Sequence, residues 1–259
     1  MVRTLLIRGM LVGTLAGLLV FGFGKFIGEP QVDRAISFES ALDEANAKAQ
    51  EAKGIHVEAE PELVSRRVQA GLGLFTGVMV YSTAFGGLFA LVFAVVDQRA
   101  VNLRARAVSG LLAASGFIAV YVVPNLKYPA NPPSVGQPDT IGQRTALYFA
   151  MLALSVAAMV VAAMLRKRLA PRHGDWNAAL IASGFYLVAA IVAARILPSI
   201  NEVPEAFPAV VLWQFRIASF GMQLIMWATL GLVFGALTER ALAGHGRVAL
   251  RHPGPAGSA

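Results

Sequence analysis

The sequence is built from apolar blocks of about twenty residues or more, nearly free of charge, and any fold for this chain must bury them or give them lipid. As an α-helix rising 1.5 Å per residue, a block of about 20 residues matches a bilayer hydrocarbon core of about 30 Å. Hydrocarbon offers no water to satisfy peptide groups, so such blocks cross as helices, which bond their own backbone. Six blocks are expected as spans, at 5–27, 68–96, 106–125, 145–165, 177–198 and 210–238. The expected fold class is therefore all-α, a polytopic transmembrane bundle. Only 14% of the 259 residues are charged, against about a quarter in soluble domains. The mean hydropathy is +0.62.

The net charge of +7 does not indicate nucleic acid, because more than half of the basic residues cluster in or beside the short connectors between the blocks. One side of the expected topology carries Arg3 and Arg8, then Arg99, Arg104 and Arg106, then Arg166, Lys167, Arg168 and Arg172, then Arg240, Arg247 and Arg251. The other side carries most of the acids, from Glu29 through Glu62, Asp139, Glu202 and Glu205. The positive-inside bias makes the first side cytoplasmic and puts both termini there. The first block is read as a retained span, since no A-x-A cleavage site follows it. These boundaries give a transmembrane domain over 1–243 with an outer loop at 28–67, and a Gly/Pro-rich tail over 244–259 expected to be disordered. Within the outer loop, residues 35–53 are rich in Ala and Glu and predict a short surface helix stopped by Gly54.

The six spans pair into three hairpins, 1–98, 99–172 and 173–240. The second and third share the string Ala114-Ser115-Gly116-Phe117 and Ala182-Ser183-Gly184-Phe185, which fits either a parallel repeat or a common small-residue composition. Gly9, Gly13 and Gly17 recur every fourth position, Gly73 and Gly77 and then Gly231 and Gly235 repeat the spacing, and such faces let helix backbones approach closely in lipid. They predict a compact bundle or a homo-oligomer.

Three constellations carry polar chemistry. His56, Glu58 and Glu60 share one face of an extended chain, and imidazole with carboxylates can bind a borderline divalent cation. The segment from Pro124 to Arg144 holds five prolines, which predict an extended course, and its Asn125, Asn131 and Asp139 offer hard oxygen donors, with Lys127 and Arg144 as partners for Asp139. Arg195 and Arg216 stand near the outer ends of their spans, where a charge needs a partner, and Glu202 and Glu205 in the connecting loop are the expected ones. Arg144, Arg195, Glu202 and Arg216 are thus candidates for a polar path. There is no cysteine, P-loop, G-x-S-x-G or H-E-x-x-H, and no histidine within a span. The chain is accordingly read as a non-enzyme with no resident cofactor.

The sequence resembles the CbtA family of predicted cobalt transporter subunits. The resemblance rests on Gly28-Glu29-Pro30-Gln31-Val32-Asp33-Arg34-Ala35-Ile36 and on Glu62-Leu63-Val64-Ser65-Arg66-Arg67-Val68-Gln69. It continues in the Pro124–Arg144 segment running into Thr145-Ala146-Leu147-Tyr148, and in Asn201-Glu202-Val203-Pro204 with Phe207-Pro208 and Trp213. The resemblance implies a multi-pass protein of the bacterial inner membrane that imports cobalt for cobalamin synthesis, with a small single-span partner bearing a histidine-rich terminus. It supplies no agreed metal ligands. Two rival readings remain beside cobalt transport: a non-transporting scaffold subunit, predicting a dry glycine-packed core and a rigid outer cap, and a lipid-directed membrane enzyme using Arg195 and Arg216 to hold a phosphate.

Overall fold

The computed structural model describes residues 2–53, 64–98, 103–133 and 135–251, with side chains as far as Ala243. No strand occurs among these residues, and five of the helical stretches are long and apolar enough to cross a membrane. The first is continuous over 50 residues: α1 (Val2–Phe23) passes through a wide π turn (Gly24–Gly28) into α2 (Glu29–Glu51). The second joins α3 (Arg66–Val68), a π turn (Gln69–Gly73) and α4 (Leu74–Asp97). The third joins α5 (Ala105–Gly116), a π turn (Phe117–Val122) and α6 (Val123–Lys127). A single turn of 3-10 helix (Pro138–Thr140) opens α7 (Ile141–Ile196), and α8 (Ala209–Thr229) continues through a π turn (Leu230–Phe234) into α9 (Gly235–Arg251).

The 56 residues of α7 are enough for two crossings, and the helix is broken at Gly174, whose φ of 77° and ψ of 160° suit only glycine. Its two arms face each other across a cluster of Ala162, Ala182 and Tyr186, with the Ser155 and Tyr186 hydroxyls 2.8 Å apart. Five helical stretches therefore carry about six spans. Most of their apolar surface is not covered by protein: in the most apolar window of Pro138–Ile196 only 17% is buried, and Leu187, Val188 and Leu19 are at least half exposed. Such a surface is out of place in water and ordinary against lipid. The chain is a multi-pass membrane protein.

Two sequence expectations are corrected. The helix expected over 35–53 is present, but it starts earlier, at Glu29, and continues from the first span without the break expected after residue 27. Pro30 sits in the first turn of α2, directly after the π turn. The polar α2 portion carries the helix on beyond the apolar run, by about 35 Å at 1.5 Å per residue over its 23 residues. Likewise the prolines after residue 123 do not enforce an extended course from their start, for Pro124 is fully buried within the helix that ends at Lys127. Both prolines follow a π turn. The wider turn reshapes the bonding ladder just where a missing N–H would leave a carbonyl without its partner.

The described residues fall into two compact units, those within Met1–Gly22, Gly73–Ala114 and Leu224–Ala259, and those within Phe23–Leu72 and Ser115–Gln223. In the first, Gly9 and Gly13 lie directly on Ser82, Gly86 and Ala90, so a Cβ at Gly9 would collide with the Gly86 carbonyl and the Ala90 methyl. Gly231 and Gly235 meet Ala113 and Ser109 in the same manner, and the Ser109 hydroxyl donates to the Gly231 carbonyl at 2.9 Å. Gly77 breaks the expected pattern by facing open space, and Gly86 serves as the contact glycine of α4. An aromatic ladder of Phe85, Trp227, Phe89, Phe234 and Phe93 fills the interior with edge-to-face contacts. Thr14 and Thr83 share a 2.9 Å hydrogen bond, and Arg8 donates to Thr238 at 3.2 Å.

In the second unit, Gly221 lies on the Phe23 ring and the Met222 thioether on Gly24. The Tyr121 and Ser219 hydroxyls stand 3.0 Å apart beside stacked Phe117. Ala35 of α2 joins Val135 and Phe207 in a small apolar cluster that seats the segments on either side of α7, with Phe38 edge-on to Phe207 at 5.2 Å. Arg66, rather than its neighbour Arg67, ties α3 to α2 through Glu29 and through Asp33 at 2.9 Å.

Replacing Gly86 by Val is expected to lower stability by roughly 1–3 kcal/mol, through forced separation of α1 and α4. Gly22→Ala, where nothing lies within 4 Å, should leave it unchanged or slightly raised. Unfolding of the detergent-solubilised protein, followed by tryptophan fluorescence, measures both.

Candidate functional site

The segment after α6 folds back over the second unit and, with the connector between α7 and α8, encloses an open cavity of about 510 Å3. Its polar lining comes from Tyr128, Asn131, Arg144, Thr145, Tyr148, Asn201, Glu202 and Arg216, backed by Pro129, Val135, Ile141, Ile200 and Val203. Two arginines face one carboxylate.

Each side chain is held by identifiable bonds. Arg216 projects from α8, donates Nε to the Ala130 carbonyl at 3.2 Å and Nη2 to Asn131 Oδ1 at 2.9 Å. Ala130 is in turn fixed through its N–H, which donates to Asn125 Oδ1 at 3.1 Å. The loop is thus clamped between the end of α6 and the α8 arginine. Lys127 donates to the Ser199 hydroxyl at 2.8 Å, and the Tyr128 hydroxyl to the Pro198 carbonyl at 2.7 Å, binding the loop to the end of α7.

Arg144, on the first turn of α7, places Nε 3.4 Å from Glu202 Oε2 and donates Nη2 to the Gln137 carbonyl at 3.1 Å. The Nε approach is an ion pair rather than a hydrogen bond, because that buried nitrogen has no partner of hydrogen-bonding geometry. The guanidinium lies against Gly136, whose φ of 117° favours glycine and where a Cβ would overlap it. Glu202 also accepts from the Gln137 N–H at 2.8 Å. The Thr140 hydroxyl first, then that N–H and the charge of Arg144, hold the Glu202 carboxyl below the usual range.

The sequence-derived candidates separate on this geometry. Arg144, Glu202, Arg216 and Asn131 come together at the cavity. Glu202 pairs with Arg144, not with Arg195 or Arg216, and Arg144 does not pair with Asp139. Asp139 is exposed on the 3-10 turn and Arg195 is exposed at the end of α7, neither lining the cavity. Asn125 is likewise absent from the lining, so Asn125, Asn131 and Asp139 are not assembled there as a ligand set. The Oδ1 atoms of Asn125 and Asn131 already accept structural bonds. His56, Glu58 and Glu60 lie outside the described residues, among which no group of three or more His, Asp or Glu side chains could hold a metal. Sequence reasoning singled out neither Tyr128, Tyr148, Thr145 nor Asn201 as a site residue. The signal for Thr145, Tyr148 and Asn201 was present in the Thr145–Tyr148 string near the start of α7 and the Asn201–Pro204 string just beyond its end.

The depressed ionisation of Glu202 fixes a sign. A carboxyl with a folded-state pKa below its unfolded value adds stability above the unfolded pKa and loses it as pH falls through the folded one. Glu202→Gln should therefore melt at a lower temperature than the parent at neutral pH. The gap should close as the pH drops below the ordinary carboxylate range, as a pH series of thermal melts in detergent will show.

No curated protein and no solved structure matches the chain. One family model does, described as "Probable cobalt transporter subunit (CbtA)", and it covers residues 2–239, which takes in every described helix up to the start of α9 and the whole of the Arg144–Glu202–Arg216 cavity. The chain belongs to the CbtA family.

Proposed function

We propose that this protein is the membrane-embedded subunit of a cobalt uptake system. The match of the cobalt transporter subunit model to residues 2–239 carries this reading, and the multi-pass helical architecture agrees with it. Cobalt is cargo here, not a resident cofactor, and no chemical conversion is assigned to the chain. Its place is the bacterial inner membrane with both ends in the cytoplasm. All four clusters of basic connectors share one side, and the acid-rich segments, including the cavity loops, share the other.

The word subunit calls for a companion. A small single-span protein with a histidine-rich terminus supplies the imidazole donors that the spans of this chain lack, and cobalt favours those donors. His56, Glu58 and Glu60 are assigned the role of gathering the cation on their chemistry alone, imidazole and carboxylates being donors for a dication, and the acids around them in the sequence raise its local concentration. The imported metal serves cobalamin synthesis.

One set of observations favours the scaffold reading. The first unit is packed through glycine on backbone, and the loops of the second are closed by hydrogen bonds, as expected of a rigid non-conducting subunit. Metal accumulation decides between them. A host stripped of its own cobalt importers is expected to accumulate cobalt, read by mass spectrometry, when it expresses this chain with its partner, and not nickel or zinc to the same degree. No rise in any metal despite verified insertion leaves the scaffold. In the same assay, changing His56, Glu58 and Glu60 together to Ala should raise the half-saturating cobalt concentration several-fold, and unchanged kinetics would remove that patch from the pathway.

A further inference from the structure

The cavity of the second unit is built for the wrong charge if its occupant is a free dication. Two arginines and one glutamate line it, leaving one net positive charge. Glu202 is already committed to Arg144, Thr140 and the Gln137 N–H. Arg216 has only neutral partners, the Ala130 carbonyl and Asn131, and no carboxylate among the described residues lies within 4.0 Å of it. A guanidinium carries five N–H donors in a fork that matches a carboxylate, and two of the five are used. An arginine at the end of a spanning helix, without an acid, in a polar-lined cavity is costly to keep unless an anion arrives. The cavity size of about 510 Å3 lies in the usual range for small-molecule sites, and Asn201, Thr145 and Tyr148 add neutral polar groups around the two arginines.

We propose that this cavity binds a small di- or tricarboxylate anion, and that cobalt reaches it as the carboxylate chelate rather than as the bare hydrated ion. A citrate trianion holding a dication keeps one negative charge, which complements the one positive charge of the lining. The carboxylate arm that the metal leaves free takes the Arg216 fork, and the outward oxygens of the metal-bound carboxylates meet the neutral polar lining of Asn201 and Thr145. The part of the proposal concerning cobalt rests on the transport reading. The anion site itself does not.

The test is isothermal titration of the full-length protein in detergent with four probes: citrate, cobalt–citrate, inorganic phosphate and cobalt alone. Citrate and cobalt–citrate are expected to bind, phosphate more weakly, and cobalt alone without dependence on residue 216. Arg216→Gln should weaken both carboxylate probes about tenfold or more, the worth of one charged hydrogen-bonding group. If Gln at 216 prevents folding, Arg216→Lys keeps the charge but not the fork and should bind citrate more weakly than the parent. Equal citrate affinity in either folded variant and the parent, no citrate binding by the parent, or phosphate binding as tightly as citrate each overturns the site. Cobalt alone binding as tightly as its chelate, with the same loss in Arg216→Gln, overturns the chelate. A failure of cobalt accumulation in cells with citrate binding intact sinks the transport reading and leaves the anion site standing.

Discussion

Hydrocarbon tolerates no unpaired peptide group, and almost every feature of this chain answers to that constraint. Helices satisfy it internally, so the described crossings are helical throughout. With lipid as apolar as the side chains, helices gain little from burying leucine against leucine, and close approach decides which faces meet. That is why Gly9, Gly13 and Gly86 lie in the buried seam while large aliphatic residues such as Leu187 and Val188 point outward. Prolines are admitted where the ladder can adjust, as at Pro30 and Pro124, each behind a π turn.

What was legible in the sequence follows the same physics. The helical, multi-pass character of the chain came from block length, a signal that depends on nothing beyond the local chain. The end of the first helix was not legible. Glu29–Glu51 is polar, so hydropathy stops at residue 27, while the backbone meets no residue that would end a helix before Ala52. Pro124 was misread for the opposite reason: proline is a breaker in most contexts, and the preceding π turn leaves no mark in composition. At the cavity, the residue types were recognised but not their pairing. Glu202 and Arg144 are 58 positions apart, and only the turn at Gly174 returns the chain so that they meet.

The loops of the second unit are ordered by polar bonds that apolar packing alone would not specify. Ala130 is gripped by Asn125 on one side and Arg216 on the other, and Tyr128 and Lys127 hold the stem of the same loop. A loop pinned in so many places presents its cavity ready-formed, so that an occupant need not spend its affinity on ordering the wall.

The glycine break in α7 adds a mechanical constraint. At Gly174 the chain reverses within a helix, without slack between the arms. Near their far ends the same two arms are joined by the Arg144–Glu202 pair. One junction is covalent and permanent, the other electrostatic and reversible. The hairpin therefore has the construction of a pair of tweezers with a clasp: if the arms part, they part first at the clasp, beside the cavity, and last at the glycine.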